Sequence, residues 1–385
     1  MIPLQFKAET VSGIYLHIPF CRQACHYCDF HFSTNLKNVD QLIDAITKEI
    51  SLRKDYLRDH KIETIYFGGG TPSILKAPLI EQILDEISKN FVVSESVEVT
   101  LEANPEDVSR DAIKAWKGMG INRLSIGIQT FDEKKLAFIN RSHNAKQATE
   151  AMELIASHFE NFNADLIYAI PPEEMGTWTS DLEKLLAYNP PHVSLYGLTI
   201  EEKTVFGKWL EKGKIEEVSE NENADEYQKA IEVLESHGFI HYEISNFCKP
   251  DNYSKHNTSY WKGAKYLGVG PGAHSYDGNS RSWNIRNNPR YIENINRGLS
   301  YYTEEILSLI DKQNEYLLTR LRNIWGIDLK VFQELFKNNF MAINPSYIDQ
   351  LISNQFAIIE DDHFHLTKKG WFIADEILER LVVAS

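Results

Sequence analysis

Three cysteines stand within eight residues near the start of the chain: Cys21, Cys25 and Cys28, spaced C-x3-C-x2-C. Thiolates are soft ligands, and three of them on one tight loop can converge on a single metal site. Zinc, or three unrelated thiols, are the plain alternatives. Structural zinc sites commonly use C-x2-C pairs with a fourth ligand, and His17, His26 or His31 could supply it here. A [4Fe–4S] cluster held by three cysteines leaves one iron without a protein ligand, and a small chelating molecule could bind at that corner. The fourth cysteine stands apart in Cys248-Lys249-Pro250 and suits a small buried core residue, although a thiol there could also meet heme iron.

Elements on either side must hold this loop. Six short runs rich in Ile, Val, Tyr and Leu predict strands: Gly13–Phe20, Thr64–Gly68, Val97–Glu102, Arg123–Gln129, Asn163–Ala169 and His192–Leu198. Each is mostly apolar on both faces, as strands buried in a parallel sheet are. Helical periodicity lies between them, over Val39–Arg58 (Leu42, Ile43, Ile46, Ile50, Leu57), Ala77–Asn90, and Asp111–Met119 with Ser109 as N-cap. Strand–helix alternation repeated six times predicts a parallel α/β fold, either an incomplete barrel or an open sheet. The cysteine loop directly follows the first strand, and polar strand ends recur at Gly68-Gly69-Gly70-Thr71-Pro72, Glu102-Ala103-Asn104-Pro105, Gln129-Thr130-Phe131 and Asp165.

The pattern changes near Ser219. We divide the chain into 1–218 (a partial barrel), 219–300 (a barrel extension and connector) and 301–385. The middle part predicts a helix over Ala224–His237, a β-like YEISNFC, a Gly- and aromatic-rich segment Tyr260–Tyr276 and an irregular polar connector Asp277–Leu299. Beyond Tyr302, three helical patterns, a hairpin over Phe356–Leu366 and a last helix suggest a mostly helical, winged-helix-like module.

Charge and composition exclude several classes. The 385 residues are 43% hydrophobic and 25% charged with a net charge of −15, a globular composition that disfavours nucleic acid or an anionic membrane as partner. Residues 301–385 carry 8 basic and 13 acidic side chains, so the winged-helix-like module is expected to contact protein or serve as a lid rather than bind DNA. No run approaches the ~18–20 apolar residues of a spanning helix. The start MIPLQFKAET shows no leader pattern, and four cysteines are no disulfide scaffold, which together predict a cytoplasmic, reducing location.

The cysteine spacing, its place after the first strand and the flanking YLHIPFCRQACHYCDF resemble the radical S-adenosylmethionine superfamily. The resemblance implies an incomplete (β/α)6 barrel with active groups at the C-terminal strand ends. It also implies S-adenosylmethionine chelating the open iron through its amino and carboxylate groups. The phrases LHIPFC, GGGTPS, LEANP, SIGIQTF, HNTSYW and GVGPGAHS are similar to one branch: oxygen-independent coproporphyrinogen III dehydrogenases and HemW-type heme chaperones. On that pattern Tyr15, Gly69, Gly70, Thr71 and Glu102 border the cluster-bound S-adenosylmethionine. Tyr27, Gln129, Arg141 and Asp165 would contact a second such molecule or its substitute.

The two relatives part at one readable place. The dehydrogenases carry another cysteine two residues after the third cluster ligand, where this chain has Phe30. Phenylalanine cannot replace a thiol in ligation, hydrogen bonding or radical quenching. The Cys28-Asp29-Phe30 ending and His256-Asn257-Thr258-Ser259-Tyr260-Trp261 match the chaperone branch. The expected function is therefore binding of heme and its transfer to an acceptor hemoprotein. The alternative is oxidative decarboxylation of coproporphyrinogen III, with a flavodoxin or ferredoxin as electron donor. His256 is the candidate heme ligand, with Tyr253, Tyr260, Trp261 and Tyr266 to stack on the macrocycle, or else a hydrogen-bonded core histidine. Arg141, Arg281, Arg286 and Arg290 could meet carboxylates such as heme propionates, and the last three equally suit solvent.

Overall fold

The computed structural model describes residues 11–57, 61–171 and 177–382. The opening segment 1–10 and Arg58, the expected end of the first helix, lie outside the described residues. All six expected strands form. The first part of the chain runs β1 (Val11–Ile18), α1 (Val39–Leu52), β2 (Lys61–Gly69), α2 (Ala77–Asn90), β3 (Val93–Ala103), α3 (Arg110–Gly118) and β4 (Arg123–Gln129). It continues through α4 (Glu133–Phe138), α5 (Ala145–His158), β5 (Phe162–Tyr168), α6 (Thr177–Leu186) and β6 (His192–Gly197).

Strands β1 to β6 pair in parallel, each with the next in sequence. All seven residues of β4 are buried, although its sequence alternates apolar with polar or glycine residues. Leu124, Ile126 and Ile128 join the hydrophobic core, while strand alternation turns Arg123, Ser125 and Gly127 to the other face. Ser109 caps α3 by accepting from the Ala112 amide, as expected.

The extension consists of α7 (Val205–Glu211), α8 (Glu220–Ser236), β7 (Ile240–Glu243), β8 (Asn246–Cys248), α9 (Lys255–Trp261) and β9 (Lys265–Val269). After these come β10 (His274–Tyr276), β11 (Ser280–Asn284), α10 (Asn288–Arg297) and β12 (Tyr302–Ile306). The sheet order is β12-β11-β10-β9-β1-β2-β3-β4-β5-β6-β8-β7. The arc therefore does not close on itself: β6 continues into antiparallel β8, and β1 takes β9 as a seventh parallel neighbour.

This corrects one expectation. Asp277–Leu299, predicted as an irregular connector, folds into β11 and α10. Tyr291 and Ile295 give α10 a buried stripe, the Asn287 side chain caps it by accepting from Arg290, and Gly298 ends it at φ 67. A buried carboxylate ties this extension to the arc. Glu49 on α1 accepts from the Gly270 amide at 2.9 Å, from Asn284 Nδ2 at 2.9 Å and from the Tyr291 hydroxyl. Each partner that desolvates Glu49 also supplies it with a hydrogen bond.

The C-terminal part holds α11 (Leu309–Arg320), β13 (Ile327–Asp328), α12 (Leu329–Phe336), α13 (Pro345–Ser353), β14 (Ala357–Glu360), β15 (His363–Leu366), α14 (Lys368–Trp371) and α15 (Ala374–Leu381). The expected hairpin is β14–β15, joined by β13 into a three-stranded sheet. Its own core gathers Leu317, Phe332, Phe340, Phe364 and Ile377.

Candidate functional site

The cysteine loop leaves β1 at Ile18 and is fastened at several points. Ser33 donates its amide to the Pro19 carbonyl at 2.7 Å, and Cys21 donates to Ser33 at 3.1 Å. Asn140, past α4, holds the loop's middle by donating to the Ala24 carbonyl at 2.7 Å, and His26 donates its amide to Ile139 at 3.1 Å. All three thiols stay partly exposed. Two donors reach the sulfurs: the Thr71 hydroxyl lies 3.6 Å from Cys21 Sγ, and Arg141 Nη1 lies 3.5 Å from Cys25 Sγ. Such donors stabilise thiolate sulfur. Burial, reinforced by the neighbouring Cys25 and Cys21, pushes the Cys28 thiol up to about 11, so a bound cation must replace the proton if that sulfur is to ligate.

The donor set fits an iron–sulfur cluster. Three cysteine thiolates on one loop are the soft donor set such a cluster takes, and Thr71 and Arg141 donate to two of the sulfurs. The three histidines weighed as a zinc ligand are hydrogen-bonded elsewhere. His17 Nε2 lies 2.9 Å from the His31 carbonyl, His26 Nδ1 2.9 Å from the Phe138 carbonyl, and His31 Nε2 2.8 Å from Asn288 Oδ1.

The glycine turn at the end of β2 packs directly on this loop. Gly70 and Thr71 donate their amides to the Ile18 and Phe20 carbonyls at 2.9 and 2.7 Å. A Cβ on Gly70 would lie 2.7 Å from the Phe20 carbonyl oxygen, and Gly69 sits at φ 107 with no room for one against the His17 ring. Only glycine suits either position. Glu102, at the end of β3, accepts from the Gly69 amide at 3.2 Å and the Tyr66 hydroxyl at 2.8 Å. Burial pushes its carboxyl up to about 7. Tyr15 stacks on Tyr66 at 6.1 Å, so Tyr15, Gly69, Gly70, Thr71 and Glu102 form one wall.

A second wall gathers around Arg141. Its Nη2 donates to Asn104 Oδ1 at 2.7 Å and to the Gly127 carbonyl at 2.8 Å, while its Nε has no partner. Gln129 ends β4 at φ 66, and Ala169 follows β5 at φ 58, both in the left-handed region that non-glycine residues rarely occupy. Asp165 accepts from Asn163 Nδ2 at 2.6 Å, and burial pushes its carboxyl up to about 6. Tyr27 packs beside Ile139, Ile170 and Phe206, and burial raises its phenol.

His256 lies behind the first wall, its ring stacked 4.9 Å from that of Tyr66 and 6.4 Å from that of Tyr15. It is 1% exposed, its Nδ1 lies 2.7 Å from the Thr64 hydroxyl, and its Nε2 lies 2.7 Å from the Tyr260 hydroxyl. The expectation that it offers a nitrogen to heme iron therefore meets an imidazole with both nitrogens taken. Its expected aromatic neighbours divide: Tyr260 and Tyr266 stay near it, while Tyr253 and Trp261 pack in the separate cluster of Tyr242, Cys248 and Trp325. Cys248 is a buried core residue there.

One buried residue escaped the sequence reading. Arg123 is 1% exposed at the start of β4, its Nε has no hydrogen-bond partner, and its charge pulls Glu102 and Asp165 down against their burial. A lone arginine at a strand start reads as solvent-facing. The available signal was the alternation that puts it on the same face as Ser125 and Gly127.

Comparison with known proteins follows the same lines. Residues 15–185 match the family model of the Radical SAM superfamily, and residues 307–373 match that of the HemN C-terminal domain. The chain is 35% identical to the heme chaperone HemW of Lactococcus lactis, covering 97% of this chain and 98% of that one. It is 32% identical to the heme chaperone HemW of Bacillus subtilis over 95% and 98% of the two chains. Its fold matches coproporphyrinogen III oxidase (HemN) from Escherichia coli, a radical SAM enzyme, with a TM-score of 0.84 at 21% identity over 97% and 90% of the chains. Similarity of this degree, running from one end to the other, makes the chain a member of the HemW branch of the radical S-adenosylmethionine superfamily.

Proposed function

We propose that the protein binds heme and passes it to an acceptor hemoprotein. In this reading Cys21, Cys25 and Cys28 hold a [4Fe–4S] cluster with exchangeable S-adenosylmethionine at its fourth iron. The observation that carries the choice over the dehydrogenase is Phe30, 70% exposed just past Cys28 where the dehydrogenases have their extra thiol. A thiol at that place could ligate or give up hydrogen; a phenyl ring can only pack.

The chain's own groups have defined tasks. Thr71 and Arg141 donate to the thiolate sulfurs, and the Gly69–Thr71 turn with Glu102 and Tyr15 borders the S-adenosylmethionine. Tyr27, Gln129, Arg141 and Asp165 border the neighbouring space, for a second such molecule or its substitute. Once bound, the cluster supplies charge and a path for one electron, from a flavodoxin or ferredoxin where reduction is needed. With a net charge of −15 the protein needs no nucleic acid, and no described helix is long and apolar enough to cross a membrane. We place it in the cytoplasm.

The test is an anaerobic heme titration followed by absorption, with transfer to an apo-hemoprotein and a parallel assay on coproporphyrinogen III. A saturable Soret change and transfer without protoporphyrinogen are expected. Protoporphyrinogen formed with S-adenosylmethionine and reductant would reverse the assignment.

A further inference from the structure

The heme reading leaves open which atom of the chain meets the iron, since both nitrogens of His256 are occupied. A different histidine is available. His274 on β10 is solvent-exposed, and among the described residues neither of its ring nitrogens has a hydrogen-bond partner. Its ring lies 6.2 Å from that of Trp283, inclined by 28°, the residue directly across from it on β11.

Three further groups share this face. Arg286 is exposed and pairs with no carboxylate among the described residues. A Cβ placed on Gly272 would lie 3.3 Å from Arg286 Cγ and 3.6 Å from His31 Cβ, so the two side chains flank the same glycine. His31 directly follows Phe30, whose ring is exposed. His17, stacked on His31 at 6.0 Å, feels the charges of both His274 and Arg286, which places all of them in one neighbourhood beside the cysteine loop.

We propose that heme docks on this face, between the Phe30–His31 segment and the β10–β11 hairpin, with His274 as axial iron ligand and Arg286 pairing a propionate. The inference rests on the heme reading above and adds the residues. A heme needs an imidazole lone pair, an aromatic or apolar contact and a cation for its carboxylates, and His274, the Trp283 ring beside it and Arg286 offer these. Packing around the ring and the Arg286 charge lower the His274 pKa, which keeps the imidazole in its neutral, iron-binding form at neutral pH. An exposed ligand also suits a carrier, because the acceptor can reach the iron without unfolding the core.

The experiment is anaerobic heme titration of the cluster-loaded protein, comparing wild type with His274→Ala, Arg286→Gln and His256→Ala, each checked for iron content and circular dichroism. His274→Ala is expected to shift the Soret band and weaken binding at least tenfold. Arg286→Gln should weaken it about tenfold, the loss of one charge-assisted contact, without moving the band. A folded His274→Ala that keeps the wild-type band and affinity overturns the inference, as does loss of the band only in a folded His256→Ala. No saturable Soret change in wild type would remove the heme reading and this inference together.

Discussion

The two ends of the strand arc are built to opposite rules. At the base, His192 Nδ1 lies 2.6 Å from Asn163 Oδ1 and its Nε2 lies 2.7 Å from the Tyr242 hydroxyl. His256 is closed off in the same way by Thr64 and Tyr260. At the mouth, Gln129 and Ala169 hold positive φ, Arg141 Nε lacks a hydrogen bond, Glu106 Oε2 and His143 Nδ1 face each other at 3.8 Å, beyond hydrogen-bond reach, and three thiols stand half-open. Each such backbone residue costs about 1–2 kcal/mol. The base has unmet polar atoms too, Arg123 Nε and the Ser12 and Thr100 hydroxyls among them. The contrast separates histidines that hold the fold from groups held ready for something else.

The largest effect that would sharpen this contrast is at the base. His192→Ala leaves a cavity, removes the ring nitrogen that pairs the Tyr242 hydroxyl and takes one of two donors from Asn163 Oδ1, and should cost about 3–5 kcal/mol in denaturant unfolding while the folded fraction keeps its iron. A loss below about 1 kcal/mol would mean that the base network is not what holds the arc.

The next effect depends on pH. Glu102 is raised from 4.5 to about 7 by burial, so the folded protein keeps its proton longer than the unfolded chain does. The stability contributed by that proton is present below about 4.5 and is lost as pH rises toward 7. Buried histidines with lowered values, His192 and His256 among them, tilt the whole protein the opposite way. The measurement is therefore the difference between Glu102→Gln and wild type without ligands. The variant should gain about 2 kcal/mol relative to wild type from pH 5 to pH 7.5. A flat difference would show that Glu102 is hydrated rather than buried.

The smallest effect tests strain at the mouth. Gln129→Gly relieves the positive φ and should stabilise the fold by about 1 kcal/mol while weakening the uptake of S-adenosylmethionine. Stabilisation with unchanged uptake would make Gln129 a bystander.

The arc was legible because its strands are short runs rich in branched aliphatic residues; Arg123–Gln129, where Leu124, Ile126 and Ile128 alternate with small or polar residues, was found with its ends exact. The candidate cysteine site could be proposed because its three thiols are local in sequence. What joins them is not: Arg141 reaches Cys25 across 116 positions, and only family resemblance picked it out. Strand β9 was hidden inside a glycine-rich stretch, because Lys265–Val269 is short and gains its pairing from distant β1. Helix α10 was hidden because few of its residues are apolar and its buried side is fixed against Glu49, far away in sequence. His256 drew notice for its aromatic company, yet pattern alone cannot show that two hydroxyls occupy its nitrogens.

The most direct test of the account is anaerobic iron and sulfide analysis with electron paramagnetic resonance, on wild type and Cys25→Ala, with and without S-adenosylmethionine. The account predicts about four irons per wild-type chain, a reduced-state signal that changes when S-adenosylmethionine is added, and loss of both in the variant. Zinc in place of iron, a signal indifferent to S-adenosylmethionine, or a variant that keeps the wild-type cluster would contradict it.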